Sequence, residues 1–254
     1  MVFIMRVHSD NENQSTMSQS DEYSFRPIGF IHSPFKEKFG IPRQPGLVPG
    51  IEASIEVLPP FDRQEAFSGL EGYSHIWIQF VFHRTTKEGW QPTVRPPRLG
   101  GNRRVGVFAS RSPFRPNPIG LSVVELLSVE VEEGRISVRF SGGDFLDGTP
   151  VLDIKPYVEY VDSLRGTRRG FAVTGPEAKL AVRFSSRAEG QLGEREDGDL
   201  LMDAIGRLLE VDPRPAYRQG ERSDRVYGMR LYDFDLRWCV REWGIEVLEL
   251  AVVD

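Results

Sequence analysis

Hydrophobic and polar positions alternate over much of the chain with the two-residue period of β-structure. Ile51, Ala53, Ile55 and Val57 are separated by Glu52, Ser54 and Glu56, which predicts a strand with one buried face. Over Tyr73–Phe82 the side chains of Ile76, Ile78, Phe80 and Phe82 fall on one face, with Trp77 and Val81 on the other. Such a strand is expected to be covered on both sides. Val123–Val131 and Ile136–Phe140 flank Glu132-Glu133-Gly134 and predict a hairpin. Glycine and proline punctuate these runs and no long helical period interrupts them. The expected architecture is therefore a small β-barrel, not a series of strand–helix–strand units, and no Rossmann fold is indicated.

The pattern changes around Ser163–Pro176, where Arg, Gly and Thr dominate. This places a boundary between a β-barrel domain at 23–163 and a C-terminal domain at 164–254. In the second part Leu201, Ala204, Ile205, Leu208 and Leu209 recur at helical spacing, and Asp212-Pro213 stops that helix. Tyr232, Phe234, Leu236, Trp238 and Val240 then alternate strictly with polar residues, and Trp243-Gly244 turns the chain into a last strand, Ile245–Val252. The second domain is accordingly a small α+β unit. Residues 1–22 are rich in Ser, Asn, Gln and Asp after a few apolar residues, and read as a disordered tail with Met17 as a second candidate start.

Composition narrows the class. With 254 residues, 39% of them hydrophobic, the chain can bury a sizeable core. No apolar run approaches the length of a membrane span, and the N-terminal segment lacks the form of a signal peptide. Cys239 is the single cysteine, which rules out an internal disulfide and suits a reducing cytoplasm. The net charge of −5 argues against bulk attraction to nucleic acid. Yet residues 81–120 hold eight arginines and lysines against Glu88 alone. A local cationic surface on an acidic chain fits a polyanion that binds at one place; a solvated loop would show the same composition.

Two stretches carry candidate chemistry. Between Gly106 and Gly120, Pro113, Pro116 and Pro118 forbid helix and stiffen the loop that presents Arg111, Arg115 and Asn117. Guanidinium groups on a stiff loop suit carboxylate or phosphate recognition, or else pair with acids of their own loop. Between Ser141 and Tyr157, Gly142-Gly143 permits close backbone approach, and Asp144, Asp147 and Asp153 supply carboxylates, with Lys155 and Tyr157 beyond. Asp147-Gly148 on its own is a turn signal. There is no Gly-rich dinucleotide turn, no P-loop and no nucleophile elbow, and the four histidines lack metal-ligand spacing, so no metal site is expected.

Three segments, Lys36–Gly46, Ser110–Gly120 with its Arg-Pro-Asn-Pro-Ile-Gly run, and Asp147–Tyr157, resemble the tRNA adenine N6-methyltransferase family known as TrmO or TsaA-like. The likeness covers about Arg26 to Tyr157 and resumes at Asp212–Arg218 and Leu231–Trp238, as in the bacterial two-domain members. The resemblance implies a barrel-shaped homodimer that uses S-adenosyl-L-methionine to methylate N6 of threonylcarbamoyl-adenosine next to the anticodon of threonine tRNA. It implies cofactor contacts at Arg43, Gln44, Pro45, His83, Arg84, Arg111, Leu121, Ser141, Gly142, Gly143 and Asp144. Arg84 stands where some relatives carry an amide.

Chemical demands assign roles within that set. Arg43, Arg84 or Arg111 can meet the carboxylate of the cofactor and Asp144 its ribose hydroxyls, leaving Leu121 and the glycine backbone for adenine. Asp153, Lys155 and Tyr157 are candidates for removing the N6 proton. Arg103, Arg104, Arg115, Arg214 and Arg218 are expected to contact tRNA. Since every matched cofactor residue lies in the first domain, that domain alone should bind the cofactor. A non-catalytic RNA-binding module, or a dimer that only senses the cofactor, would share many of these features.

Overall fold

In the computed structural model, which describes residues 23–100, 102–173, 175, 180–214 and 225–252, the first part of the chain is a closed barrel. Its strands are β1 (Gly29–His32), β2 (Glu52–Val57) and β3 (His75–Val81), then, after the short pair β4 (Thr93–Val94) and β5 (Val105–Gly106), β6 (Ile119–Glu132), β7 (Arg135–Ser141) and β8 (Pro150–Pro156). The order around the barrel is β1-β2-β7-β6-β3-β8, with every neighbouring pair antiparallel. The expected hairpin joins β6 to β7 through Glu133-Gly134, both at positive φ (49° and 79°). Two such residues make the tight turn whose twist matches that of the strands. The alternation in β2 and β3 is realised: Ile55, Val57, Ile76, Ile78 and Phe80 are buried, while Trp77 and Gln79 face outward.

The barrel interior is solid. Ile31, Val124, Ile136, Val138 and Val151 surround three aromatic rings, Phe80, Phe140 and Phe145. These rings meet edge to face, with centroids 4.9 Å apart for Phe80–Phe145 and 5.5 Å for Phe140–Phe145. Nothing as large as a nucleoside can enter such a core. Binding must happen at its rim.

The C-terminal part follows a short helix α1 (Glu159–Asp162). A strand β9 (Val182–Phe184) leads to helices α2 (Ser186–Gly193) and α3 (Gly198–Glu210), and then to the meander β10 (Val226–Leu231), β11 (Phe234–Arg241) and β12 (Gly244–Val252). The sheet order is β10-β11-β12-β9, with β9 parallel to β12. Ser185 caps α2 by accepting a hydrogen bond from the Ala188 amide. Leu201, Ala204, Ile205, Leu208 and Leu209 form the buried stripe of α3, packed on Leu236, Trp238, Ile245 and Val247. This is the α+β unit anticipated from the sequence; β9, β10 and α2 were not. The tail at 1–22 lies outside the described residues.

The two cores do not divide the chain cleanly. Phe35, Val48 and Ile51, which sit in the long connection between β1 and β2, are at most 2% exposed and belong to the C-terminal core. Each buried side chain of this size contributes about 1.5–3 kcal/mol. The connection is therefore clamped between the domains.

One glycine fixes the relation of β3 to β6. Gly120 lies opposite Phe80 in the register, and a Cβ there would fall 2.2 Å from the Phe80 ring. The missing side chain lets the ring lie flat across the neighbouring strand. Gly120→Ala should destabilise the protein by about 1–3 kcal/mol through overpacking. Much of that loss should disappear in a Phe80→Leu background, as read from denaturation midpoints. An unchanged midpoint for Gly120→Ala would show that the ring has room to move.

Candidate functional site

At the rim where β3 ends and β6 begins, a cleft of about 510 Å³ opens between three loops. One wall is the β1–β2 connection, with Lys38 and Arg43–Pro45. A second is the turn after β3, with His83 and Arg84. A third is the proline loop, with Ser110, Arg111 and Arg115. The floor is Phe80, Leu121 and Ser122, with Asp144 from the loop after β7.

Short-range bonding explains how the proline loop holds its shape. Ser110 donates its hydroxyl to the Val107 carbonyl and accepts from the Ser112 amide; the Ser112 hydroxyl accepts from the Phe114 amide. With prolines at 113, 116 and 118, few backbone donors remain to be satisfied. Arg115 closes the loop from within, donating to the carbonyls of Ser110 (2.7 Å) and Val107 (3.2 Å) while its guanidinium lies 5.6 Å from the Phe108 ring centre. Arg115 is thus a half-buried staple of its own loop that also lines the cleft.

Arg111 reaches across the cleft and donates to the Gln44 side-chain oxygen at 2.7 Å. Gln44 in turn donates to the Arg43 carbonyl, and Arg43 donates to the carbonyl of Arg214 at 2.8 Å. These acceptors are neutral, so they orient the guanidinium groups without cancelling their charge. Asp144 accepts from Ser122 at 2.6 Å. Burial pushes its carboxyl above the usual range, opposed by the Ser122 hydrogen bond and the charge of Arg111. For His83, burial pulls the imidazole below its usual range, and Arg84 and Lys38 pull the same way. At neutral pH it is an uncharged ring able to accept a proton.

Eight of the positions implied by the resemblance therefore line one cleft: Arg43, Gln44, Pro45, His83, Arg84, Arg111, Leu121 and Asp144. Ser141, Gly142 and Gly143 do not. They pin the β1–β2 connection to the barrel instead: the Ser141 hydroxyl accepts from the Gly50 amide, and Gly142 exchanges backbone hydrogen bonds with Gly46 and Ile51. A Cβ on Gly143 would meet the Phe140 and Phe145 rings at 2.8 and 2.7 Å, so that glycine is a packing requirement. Asp153, Lys155 and Tyr157 also lie elsewhere. Asp153 and Lys155 pair with each other at 2.8 Å on the outward side of β8, and Tyr157 packs beside Trp77 and His75. They do not line the cleft, although Asp153 and Lys155 stand opposite Gln79 and Trp77 on the outward face that Leu121 also occupies.

Of the other expected tRNA contacts, Arg103 and Arg104 are exposed just before β5. Arg214 is 3% exposed, its guanidinium held by Asp212 at 2.8 and 2.9 Å, so it is an internal ion pair and no phosphate ligand. Arg218 lies outside the described residues. His83 was expected only as a cofactor contact; the burial and flanking cations that keep its ring neutral are visible only in the structure.

The donor set fits S-adenosylmethionine. Three guanidiniums suit its carboxylate, Asp144 suits its hydroxyls and offsets a sulfonium charge, and Phe80 with Leu121 offers an apolar wall. Asp144→Asn keeps the acceptor for Ser122 and removes the charge. A carboxyl raised by burial lowers stability once pH exceeds its unfolded value and on through its folded value. The variant should therefore match wild type in acid and become more stable than it as pH rises to neutrality, while losing affinity for the cofactor. Thermal midpoints across pH measure this, and a variant less stable at neutral pH would contradict it.

Comparison with known proteins shows the family. Residues 30–163 match the model of the tRNA-methyltransferase O N-terminal domain, and residues 177–253 that of the TrmO C-terminal domain. The chain is 48% identical over 229 residues to the tRNA (adenine(37)-N6)-methyltransferase of Escherichia coli strain K12, covering 90% of this chain and 97% of that one. It is 45% identical over 180 residues to the protein of the same name from Eikenella corrodens, covering 71% and 97%. The crystal structure of TrmO from Pseudomonas aeruginosa superposes with a TM-score of 0.74 at 41% identity, over 92% of this chain and all of that one. The chain belongs to the tRNA-methyltransferase O family.

Proposed function

We propose that this protein is an S-adenosylmethionine-dependent methyltransferase acting on N6 of adenine 37 in tRNA, and that its acceptor is threonylcarbamoyl-adenosine in a threonine-type tRNA. The observation that carries this reading is the cleft itself. One half-buried carboxylate, a neutral imidazole and a ring of oriented guanidiniums converge at the rim of a solid barrel. A carboxylate-bearing acceptor next to a carboxylate-bearing cofactor calls for more than one cation, and the cleft offers Arg43, Arg84 and Arg111.

The cofactor supplies an electrophilic methyl when bound. The residues of this chain do the rest. Phe80, Phe82 and Leu121 exclude water from the floor. Methylation forms an N6–carbon bond and expels the N6 proton, for which His83, kept neutral by burial and by Arg84, is the acceptor inside the cleft. Exposed Arg103 and Arg104 extend the cationic surface toward the phosphate backbone of tRNA. The domain from 23 to 163 carries the chemistry in this reading, and the domain from 164 onward contributes tRNA contacts. Work on tRNA with a reduced, buried Cys239 accords with the cytoplasm.

The outer face of β6 supports a homodimer. Ile119, Leu121 and Leu127 point outward with 38%, 51% and 41% of their surface exposed, an apolar strip that begins in the cleft. Light scattering should give the mass of two chains; a monomer at micromolar concentration would count against it.

Nucleoside mass spectrometry after incubation with S-adenosylmethionine tests the reaction. Transcripts bearing threonylcarbamoyl-adenosine should gain one methyl group, and unmodified transcripts should not. Equal methylation of both would remove the carbamoyl group from the recognition, and methylation of neither would overturn the reading. Across pH, the wild-type rate should fall in acid as His83 protonates below the usual imidazole value of about 6.5. His83→Gln should be slower by about 10²–10⁴-fold and lose that acid limb. An acid limb that survives in His83→Gln belongs to another group.

A further inference from the structure

We propose that the C-terminal domain is part of the cofactor site, with Asp212 and Arg214 as positioning residues that act on the cleft through Arg43. This rests on the function proposed above and assigns the second domain a task besides tRNA contact.

The connection between β1 and β2 is held at its ends by the barrel. Asp147 donates its amide to the Phe35 carbonyl and pairs with Lys36 at 2.8 Å; Gly46 donates to Gly142. The stretch between is held by the C-terminal domain. Phe35 forms an antiparallel bridge to Leu231, and the Tyr232 amide donates to the Pro34 carbonyl at 3.0 Å. Phe39 and Ile41 pack against the C-terminal core. Gly40 lies so close to Met229 that a Cβ would stand 2.5 Å from the sulfur.

The polar contacts continue in the same direction. Asp212, at φ 49°, accepts hydrogen bonds from the backbone amide and the guanidinium of Arg214. That pair is nearly buried, with 4% and 13% of the side chains exposed, so its geometry is firmly set. The Arg214 carbonyl then receives Arg43, the Arg43 carbonyl receives Gln44, and the Gln44 oxygen receives Arg111. A line of five hydrogen-bonded residues, Asp212, Arg214, Arg43, Gln44 and Arg111, thus runs from the second domain to the charge that faces Asp144. Guanidiniums that must meet a carboxylate in one orientation gain from being held there before it arrives.

On this proposal the first domain alone would bind the cofactor more weakly than the full chain, in place of the expectation that it suffices. Ending the chain near Ser163 would expose Phe35, Val48 and Ile51 and leave Arg43 without its acceptor.

The test uses the full-length chain. Without ligand, amide exchange at 39–45 should be faster in Asp212→Ala than in wild type, while β6 and β7 exchange at wild-type rates. Unchanged exchange at 39–45 would overturn the proposal whether or not the protein proves to be a methyltransferase. In calorimetry with S-adenosylmethionine, Asp212→Ala should bind about five- to tenfold more weakly. Its KM for the cofactor should rise with kcat at saturation within about twofold of wild type. Asp212→Asn, which keeps an acceptor oxygen and tolerates positive φ, should restore most of the affinity. Asp212→Ala combined with Arg43→Ala should bind no worse than Arg43→Ala alone, since one acts through the other. Additive losses would overturn the proposal. If Asp212→Ala does not fold, exchange in the wild-type protein decides: adding the cofactor should slow exchange at 211–214 together with 39–45. Protection confined to 39–45 would refute the link. A wild-type protein that binds no cofactor would instead refute the proposed function, and the ligand-free exchange would still judge the positioning.

Discussion

Closure of the six-stranded sheet is the constraint from which the rest follows. The strand β1 is only four residues long, yet it pairs with β2 on one side and β8 on the other. A Cβ on Gly29 would stand 2.5 Å from the Glu56 carbonyl oxygen, so only glycine lets the seam close. Closure removes the sheet edges that would otherwise invite pairing with other chains. It also turns every second residue inward, and the interior fills with Phe80, Phe140 and Phe145 until no ligand-sized space remains. A barrel this small cannot bind inside itself. It binds where loops gather at one end, and the cleft is found there.

Charge in that cleft obeys a different rule from charge on the rest of the surface. Elsewhere cations meet acids: Arg139 lies between Glu52 and Glu130, Arg237 and Arg187 share Glu249, and Arg195 is shared by Asp197 and Asp233. Around the cleft the guanidiniums of Arg43, Arg111 and Arg115 meet carbonyl and amide oxygens. A neutral acceptor fixes direction and leaves the charge for a visitor; a carboxylate would fix direction and consume it. An acidic protein can thereby keep one cationic mouth. Among the described residues its only carboxylate on the floor, Asp144, is partly buried and hydrogen-bonded by Ser122, so it is suited to accept hydrogen bonds without quenching the rim.

What could be read from sequence was local. The alternation of Ile76, Ile78 and Phe80, the Glu133-Gly134 turn and the stiffness of Ser110–Gly120 depend on neighbours a few residues away, and all three stand in the structure. The α3 stripe was legible for the same reason. Elements whose identity depends on distant partners were not: β9 has three residues and exists because β12 lies beside it. Among site residues, those that the family's motifs placed on the rim loops line one cleft. Asp153 and Lys155 were read as groups facing a substrate, and only the structure shows that they pair with each other outside the cleft lining. Arg214 reads as a surface arginine until burial and Asp212 are seen together.

The connection between β1 and β2 resolves why a barrel that holds the cleft residues also needs a second core. It contains Gly40, Gly46 and Gly50 at positive φ together with Pro42 and Pro45, so it can form neither helix nor strand. A segment of this kind has few internal hydrogen bonds and takes its order from what it packs against. The barrel offers only a rim, which secures the two ends. The C-terminal domain offers Met229 on β10 and the carbonyl of Arg214 after α3, which secure the middle. Arg43 and Gln44 lie in that middle stretch, so the precision of the cleft is set by an interface between domains and not by either domain alone.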